Sequence, residues 1–169
     1  MEKSKETVDV AKFIIAYYNN LGETISQLKL HKVLYYTQAW YLVNFDGEPI
    51  FTEEPEAWLN GPVYPSVYRE FPSKKFAPLK VGSFADALKK PSTIFEEQKA
   101  AMNFTAREEK FMDAIFKKYG AMQDLLLVYT THEEDPWINA RKGLPPFSRS
   151  NEKITLESMR TYYKKRLES

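Results

Sequence analysis

The sequence predicts a mainly α fold: a compact bundle of six or seven helices around a buried central helix at about 26–44, with one small β-hairpin at about 49–60. Two observations carry this. The stretch from Leu28 to Val43, LKLHKVLYYTQAWYLV, contains neither Pro nor Gly and is long enough for about four helical turns. Its apolar residues leave no wet face. Leu28, Tyr35, Tyr36, Ala39, Trp40 and Val43 cover one side, and Leu30, Leu34 and Tyr41 most of the other. A helix apolar nearly all round is buried nearly all round. The second observation is a change of texture just after it. EPIFTEEPEAWLNGPVYP carries Pro49, Pro55, Pro62 and Pro65, which exclude a continuous helix.

The other elements follow in chain order. Thr7 reads as an N-cap with Asp9 in the first turn, and Val10, Phe13, Ile14, Tyr17, Tyr18 and Leu21 keep helical spacing until Asn19-Asn20 and Gly22. Thr24 or Ser26 caps the central helix, and Asp46-Gly47 forms its exit turn. Ile50-Phe51 and Ala57–Leu59 read as short strands, Asn60-Gly61-Pro62 as a turn into the next element, and Pro65 as the first turn of a short helix. Residues 72–103 read as a surface excursion with a helical piece around Phe84–Leu88. Thr105 with Glu108 is a capping box that opens a helix ending at Gly120. A further helix over Ala121–Thr131 places Met122, Leu125, Val128 and Tyr129 on one face. Asp135-Pro136-Trp137 starts a short helix, and Thr155 caps the last one.

Composition narrows the function classes. Of 169 residues, 24 are Lys or Arg and 23 Asp or Glu, so no net charge draws the chain to nucleic acid or an anionic membrane. There is no cysteine, which removes disulfides, thiolate metal sites and a cysteine nucleophile. The charged start MEKSKETVDV has no apolar run behind it and no stretch approaches a membrane span, so a cytoplasmic protein is expected. Eleven Tyr and eleven Phe supply ample area for one core.

The reactive inventory is thin. The two histidines, His31 and His132, with Glu133, Glu134 or Asp135 could compose a two-His, one-carboxylate metal site, but no HExxH or EF-hand spacing supports it. No GxSxG, Walker or GxGxxG motif is present, so the expectation is a non-enzyme without cofactor. Lys29 and Lys32 sit in the first turns of the central helix. Snorkelling of both amines into water is favoured over a pair between Lys29 and Glu54 or Glu56. His31 and Gln38 share a face, either a polar seam or the wet side. Tyr162 to Arg166 interleaves aromatics with cations, which fits nucleic acid but more often a solvated terminal turn.

Three segments in order carry a resemblance. They are LKLHKVLYYTQAWYL at 28–42, EPIFTEEPEAWLNGPVYPSVYREF at 48–71 and LLLVYTTHEEDPWINAR at 125–141. This succession resembles the Panacea domain, the SocA-like or GepA-like phage-associated antitoxin family, over about residues 8–165 of a single-domain chain spanning 1–169. The motif positions are Lys29, Tyr35 and Tyr36, then Trp58, Gly61 and Pro62, then Thr131, His132, Pro136 and Trp137.

The resemblance implies an antitoxin of a toxin–antitoxin or prophage system. It would bind and neutralise a cognate toxin protein, by occlusion or by delivering it to a protease. It implies no catalytic residue, so the motif positions are expected to be structural or partner-binding. The exposed aromatics of the hairpin and of 72–103 are the expected contact surface. Two other readings stand beside it. One is a hydrolase or metal-dependent enzyme using His132 with nearby carboxylates. The other is a nucleic-acid binder using the last helix.

Overall fold

The computed structural model describes residues 4–71, 78–80 and 84–169. Among these, eight α-helices run in the order α1 Thr7–Asn20, α2 Gln27–Asn44, α3 Pro65–Glu70, α4 Pro91–Met102, α5 Ala106–Gly120, α6 Asp124–His132, α7 Asp135–Ala140 and α8 Leu156–Glu168. One antiparallel hairpin, β1 Glu56–Trp58 and β2 Gly61–Val63, lies between α2 and α3, and a 3-10 turn covers Phe84–Leu88. The mainly α fold with a small hairpin is the one expected, with one or two more helices.

α2 is the axis. Fourteen of its 18 residues are buried, and α1, α5, α6, α8 and β2 all pack on it. The side chain of Ser26 caps it by accepting from the Lys29 N–H at 3.1 Å. Around it a single apolar cluster takes in Ile14 and Tyr18 of α1, Phe116 of α5, Leu127 of α6 and Met159 and Tyr163 of α8.

Polar side chains on α2 hold the non-helical stretch that follows it. Gln27, His31 and Gln38 fall within about 40° of one another on the helix. The Gln27 amide donates to the Phe71 carbonyl at 2.7 Å, and the Tyr64 N–H donates to His31 Nδ1 at 3.1 Å. Gln38 donates to the Phe51 carbonyl at 2.5 Å and accepts from the Ile50 N–H at 2.9 Å. Residues 50–71 have few ladder bonds of their own, so their buried backbone groups are satisfied by this row of side chains. Of the two sequence-level readings of the His31–Gln38 face, the polar seam holds.

The hairpin is offset from its expected position. The strands pair Glu56 with Val63 and Trp58 with Gly61 across a Leu59-Asn60 turn, so Gly61-Pro62 is strand and not turn. Ile50 and Phe51 are not strand because Gln38 takes their backbone groups. The outer edge of β1 is covered from the far end of the chain: Ala57 N–H donates to the Glu152 carbonyl and Ile154 N–H to the Pro55 carbonyl, both at 2.8 Å.

Helix α4 was not expected within 72–103. It begins with Pro91 at its first turn and ends at Asn103 in the left-handed region (φ 49°), and Phe95 stacks on Phe13 of α1 at 5.7 Å. The expected piece at Phe84–Leu88 is present as the 3-10 turn, while 72–77 and 81–83 lie outside the described residues. Two cap assignments shift by one residue. Glu6, not Thr7, is the N-cap of α1, and Glu134, not Asp135, that of α7. α6 turns a different face inward from the expected one. Leu127 is buried, whereas Leu125 and Tyr129 are 65 % and 60 % exposed. With apolar residues at 125 to 128 all round, only the packing decides which side faces in.

Candidate functional site

The three motif segments meet beside the first half of α2. Gly61 on β2 adopts φ +101°, a conformation that L side chains rarely take. It lies against Lys32 of α2 and Thr131 of α6: a Cβ there would stand 2.6 Å from Lys32 Cε and 2.7 Å from Thr131 Oγ1. The Lys32 ammonium donates to the Pro62 carbonyl at 3.2 Å. Lys32 is fully buried, which overturns the expectation that it snorkels into water. The hairpin roofs it, so its amine is met by a backbone carbonyl instead of solvent.

Lys29 takes neither hairpin carboxylate. Its amine donates to the Gly120 carbonyl at 3.0 Å and pairs with Asp124 at 3.5 Å. Those groups sit where α5 ends and α6 begins, so Lys29 ties that corner to α2. Glu54 accepts from the Leu156 N–H at 2.7 Å, and Glu56 pairs with Lys153 at 3.5 Å.

The aromatic and histidine positions form a second contact line. The Trp137 indole N–H donates to the Trp58 carbonyl at 2.9 Å, and His132 stacks on Trp137 at 3.9 Å and 12°. Pro136 is buried in the first turn of α7. Burial, then the nearby Lys32 and Arg141, holds the His132 imidazole below its ordinary pKa. Desolvation thus outweighs the C-terminal end of α6, whose dipole alone would favour a protonated ring.

Tyr35 and Tyr36 are buried, and Glu134, weighed in the sequence only as a candidate metal ligand, is instead the partner of Tyr36. The Tyr36 hydroxyl and that of Tyr163 on α8 both donate to the carboxylate of Glu134, which is 2 % exposed. Arg166 of α8 reaches the same carboxylate at 3.3 Å. Glu134 thus joins α2, α7 and α8. Burial pushes its carboxyl above the usual range, against the lowering influence of both tyrosines and Arg166. The one sequence cue to it was an acidic residue just ahead of a helix-starting Pro.

Arg141, at the end of α7, is also buried. It donates to the Ala57 carbonyl at 2.8 Å and the Ser148 carbonyl at 2.7 Å, fixing the loop after α7 on the hairpin.

The acidic residues near His132 do not converge on it. Glu134 turns to the tyrosines, and Glu133 and Asp135 are exposed. Among the described residues no group of three His, Cys, Asp or Glu side chains could hold a metal ion. On the last helix Tyr163 is buried and Arg166 reaches Glu134, while its guanidinium also lies 5.8 Å from the half-buried Tyr162 ring and Lys164 and Lys165 are exposed.

Several large apolar side chains are exposed. Leu125, Leu126 and Tyr129 occupy an arc of about 100° on α6, and Ile138 on α7 and Phe147 in the following loop, 86 % exposed, lie beyond it. The hairpin and the described part of 72–103 are mixed in exposure. Trp58 is half-buried with its ring 4.9 Å from Tyr68, and Phe95 faces α1, although Leu88 is almost fully exposed. No helix among the described residues is long and apolar enough to cross a membrane.

This is a helical domain in which a set of side chains, drawn from three distant segments, is spent on holding a hairpin and a capped corner against a buried axis. The chain belongs to the family described as antitoxin SocA-like, Panacea domain, whose model it matches over residues 30–138, more than half of its length. No curated protein and no solved structure matches it.

Proposed function

We propose that this chain is an antitoxin that binds a cognate toxin protein directly and neutralises it, acting in the cytoplasm through a single domain of about residues 8–165. Membership of the antitoxin-like family carries this reading. The geometry supports it in one respect. The motif residues Lys29, Tyr36, Gly61, Thr131 and Trp137 are engaged in internal contacts, and His132 stacks on Trp137 with no carboxylate converging on it.

The contact surface in this reading is the exposed apolar arc of α6 with Ile138 and Phe147. Large apolar side chains held in water on a folded scaffold are the usual material of an interface core. Binding there occludes the toxin, or holds it for a protease.

The test is co-expression with the small protein encoded in the adjacent reading frame. Growth arrest by that protein, relieved by this chain with recovery of a complex of the two, is the expected result. Neither complex nor relief would retire the reading. A toxin half-life shortened only in the presence of this chain and one protease separates delivery from occlusion.

A further inference from the structure

A cavity of about 590 Å³ opens between the first two turns of α2, the hairpin and residues 149–151. That volume is in the range of sites that enclose a ligand group. His31 and Lys32 line it from α2, Trp58 and Tyr68 supply aromatic walls, and Arg149 and Asn151 close it from the loop before α8. Among the described residues no aspartate or glutamate lines it.

One buried group in this wall is left unsatisfied. His31 is 2 % exposed and its Nδ1 accepts the Tyr64 N–H, so the ring proton resides on Nε2. Nε2 has no hydrogen-bond partner among the described residues. Its neighbours on the same face of α2, Gln27 and Gln38, are both bonded. An orphaned buried donor costs about 1–3 kcal/mol, which an acceptor placed in the cavity would recover. Two features make a charged acceptor the best fit. Arg149 is an exposed cation in the lining, with the buried Lys32, bonded to the Pro62 carbonyl, adding fixed positive charge behind the wall, and the cavity lies at the positive end of the α2 dipole. Leu59 and Tyr68, 39 % and 44 % exposed, also line it, so apolar surface continues outward from the cavity.

We propose that this cavity receives the carboxylate of an aspartate or glutamate presented by a bound polypeptide, whose adjacent apolar residue rests on Leu59 and Tyr68. The proposal rests on the reading of this chain as a protein-binding domain. Charge complementarity selects the carboxylate, and the apolar rim selects an occupant that extends beyond the cavity.

The experiment is an NMR titration of the full chain, following the Trp58 indole and the Tyr64 backbone signals. The probes are acetyl-Leu-Glu-Leu-amide, the same peptide with Gln in place of Glu, sodium acetate and inorganic phosphate. The glutamate peptide is expected to shift both signals and saturate at millimolar concentration, the glutamine peptide to bind about tenfold more weakly, and acetate and phosphate to be weaker still. Arg149 is exposed, so R149E is expected to fold normally and weaken the glutamate peptide by about fivefold, while K142E, outside the cavity, leaves it unchanged. Equal binding of the two peptides, shifts away from these signals, or no shift overturns the proposal. So does acetate or phosphate binding as tightly as the peptide, which would make this a small-anion site. Failure here with growth rescue intact retires the cavity alone. Peptide binding without rescue retires the antitoxin reading alone.

Discussion

Gly61 approaches Lys32 so closely that a Cβ on the glycine would fall 2.6 Å from Lys32 Cε. The contact joins the hairpin to the central helix at the point where Thr131 of α6 also arrives, so three motif segments share it. Gly61→Ala must both strain a backbone at φ +101° and displace a buried lysine. It is expected to cost about 3 kcal/mol. Gly22→Ala also has positive φ but open space around it, and should cost about 1 kcal/mol. Urea denaturation of the two variants separates the clash from the backbone strain.

Glu134 is the joint between α2, α7 and α8. Glu134→Ala leaves the Tyr36 and Tyr163 hydroxyls without their acceptor in a buried site and is expected to cost about 3 kcal/mol. The pH dependence has a definite sign. A carboxyl whose folded-state pKa is raised contributes stability that is full below its ordinary value of 4.5 and lost as pH rises through the folded value. Glu134→Gln should therefore remove a decline in stability that wild type shows above that pH, as measured by urea denaturation across the acid range.

His31 acts in the opposite direction. Burial, reinforced by Lys32, pulls its imidazole from 6.5 down to about 3. A neutral buried histidine contributes stability that is full above 6.5 and lost as pH falls from 6.5 towards 3. The His31 ring resonances should stay unprotonated through the physiological range. His31→Asn, which keeps an acceptor for the Tyr64 N–H, should flatten the acid side of the stability curve. A ring that titrates near 6.5 in the folded protein would contradict this.

The exposed arc of α6 is predicted to matter for binding and not for folding. Leu126→Glu and Tyr129→Glu should change stability by no more than about 0.5 kcal/mol and abolish relief of toxin arrest. Wild-type rescue by both variants would place the contact surface elsewhere.

What could be read in the sequence was what is decided locally. Ser26, Thr105 and Thr155 were legible as caps because a cap needs only the next three residues, and each accepts the backbone N–H expected of it. The buried axis was legible because its apolar residues leave no wet side. α4 is hidden in the sequence because a Pro reads as a break, whereas Pro91 occupies a helix's first turn, and Ile94, Phe95, Gln98 and Met102 do keep helical spacing. The partners of Lys32, His31 and Gln38 are backbone groups 12 to 33 residues further along, and no periodicity reports those. Glu134 stands out in the sequence as an acidic residue near His132 but not as a joint, for the same reason: its partners lie on two other helices.

Neutralisation by direct binding, as proposed, requires one molecule of this chain for each molecule of its partner. The most direct measurement is inhibition of the purified neighbouring toxin as this chain is titrated in, with no protease present. Occlusion by binding predicts a linear loss of toxin activity that ends at a fixed molar ratio near one, together with a complex of that stoichiometry. Progressive inactivation of many toxin molecules by each molecule of this chain would contradict it and identify an enzyme.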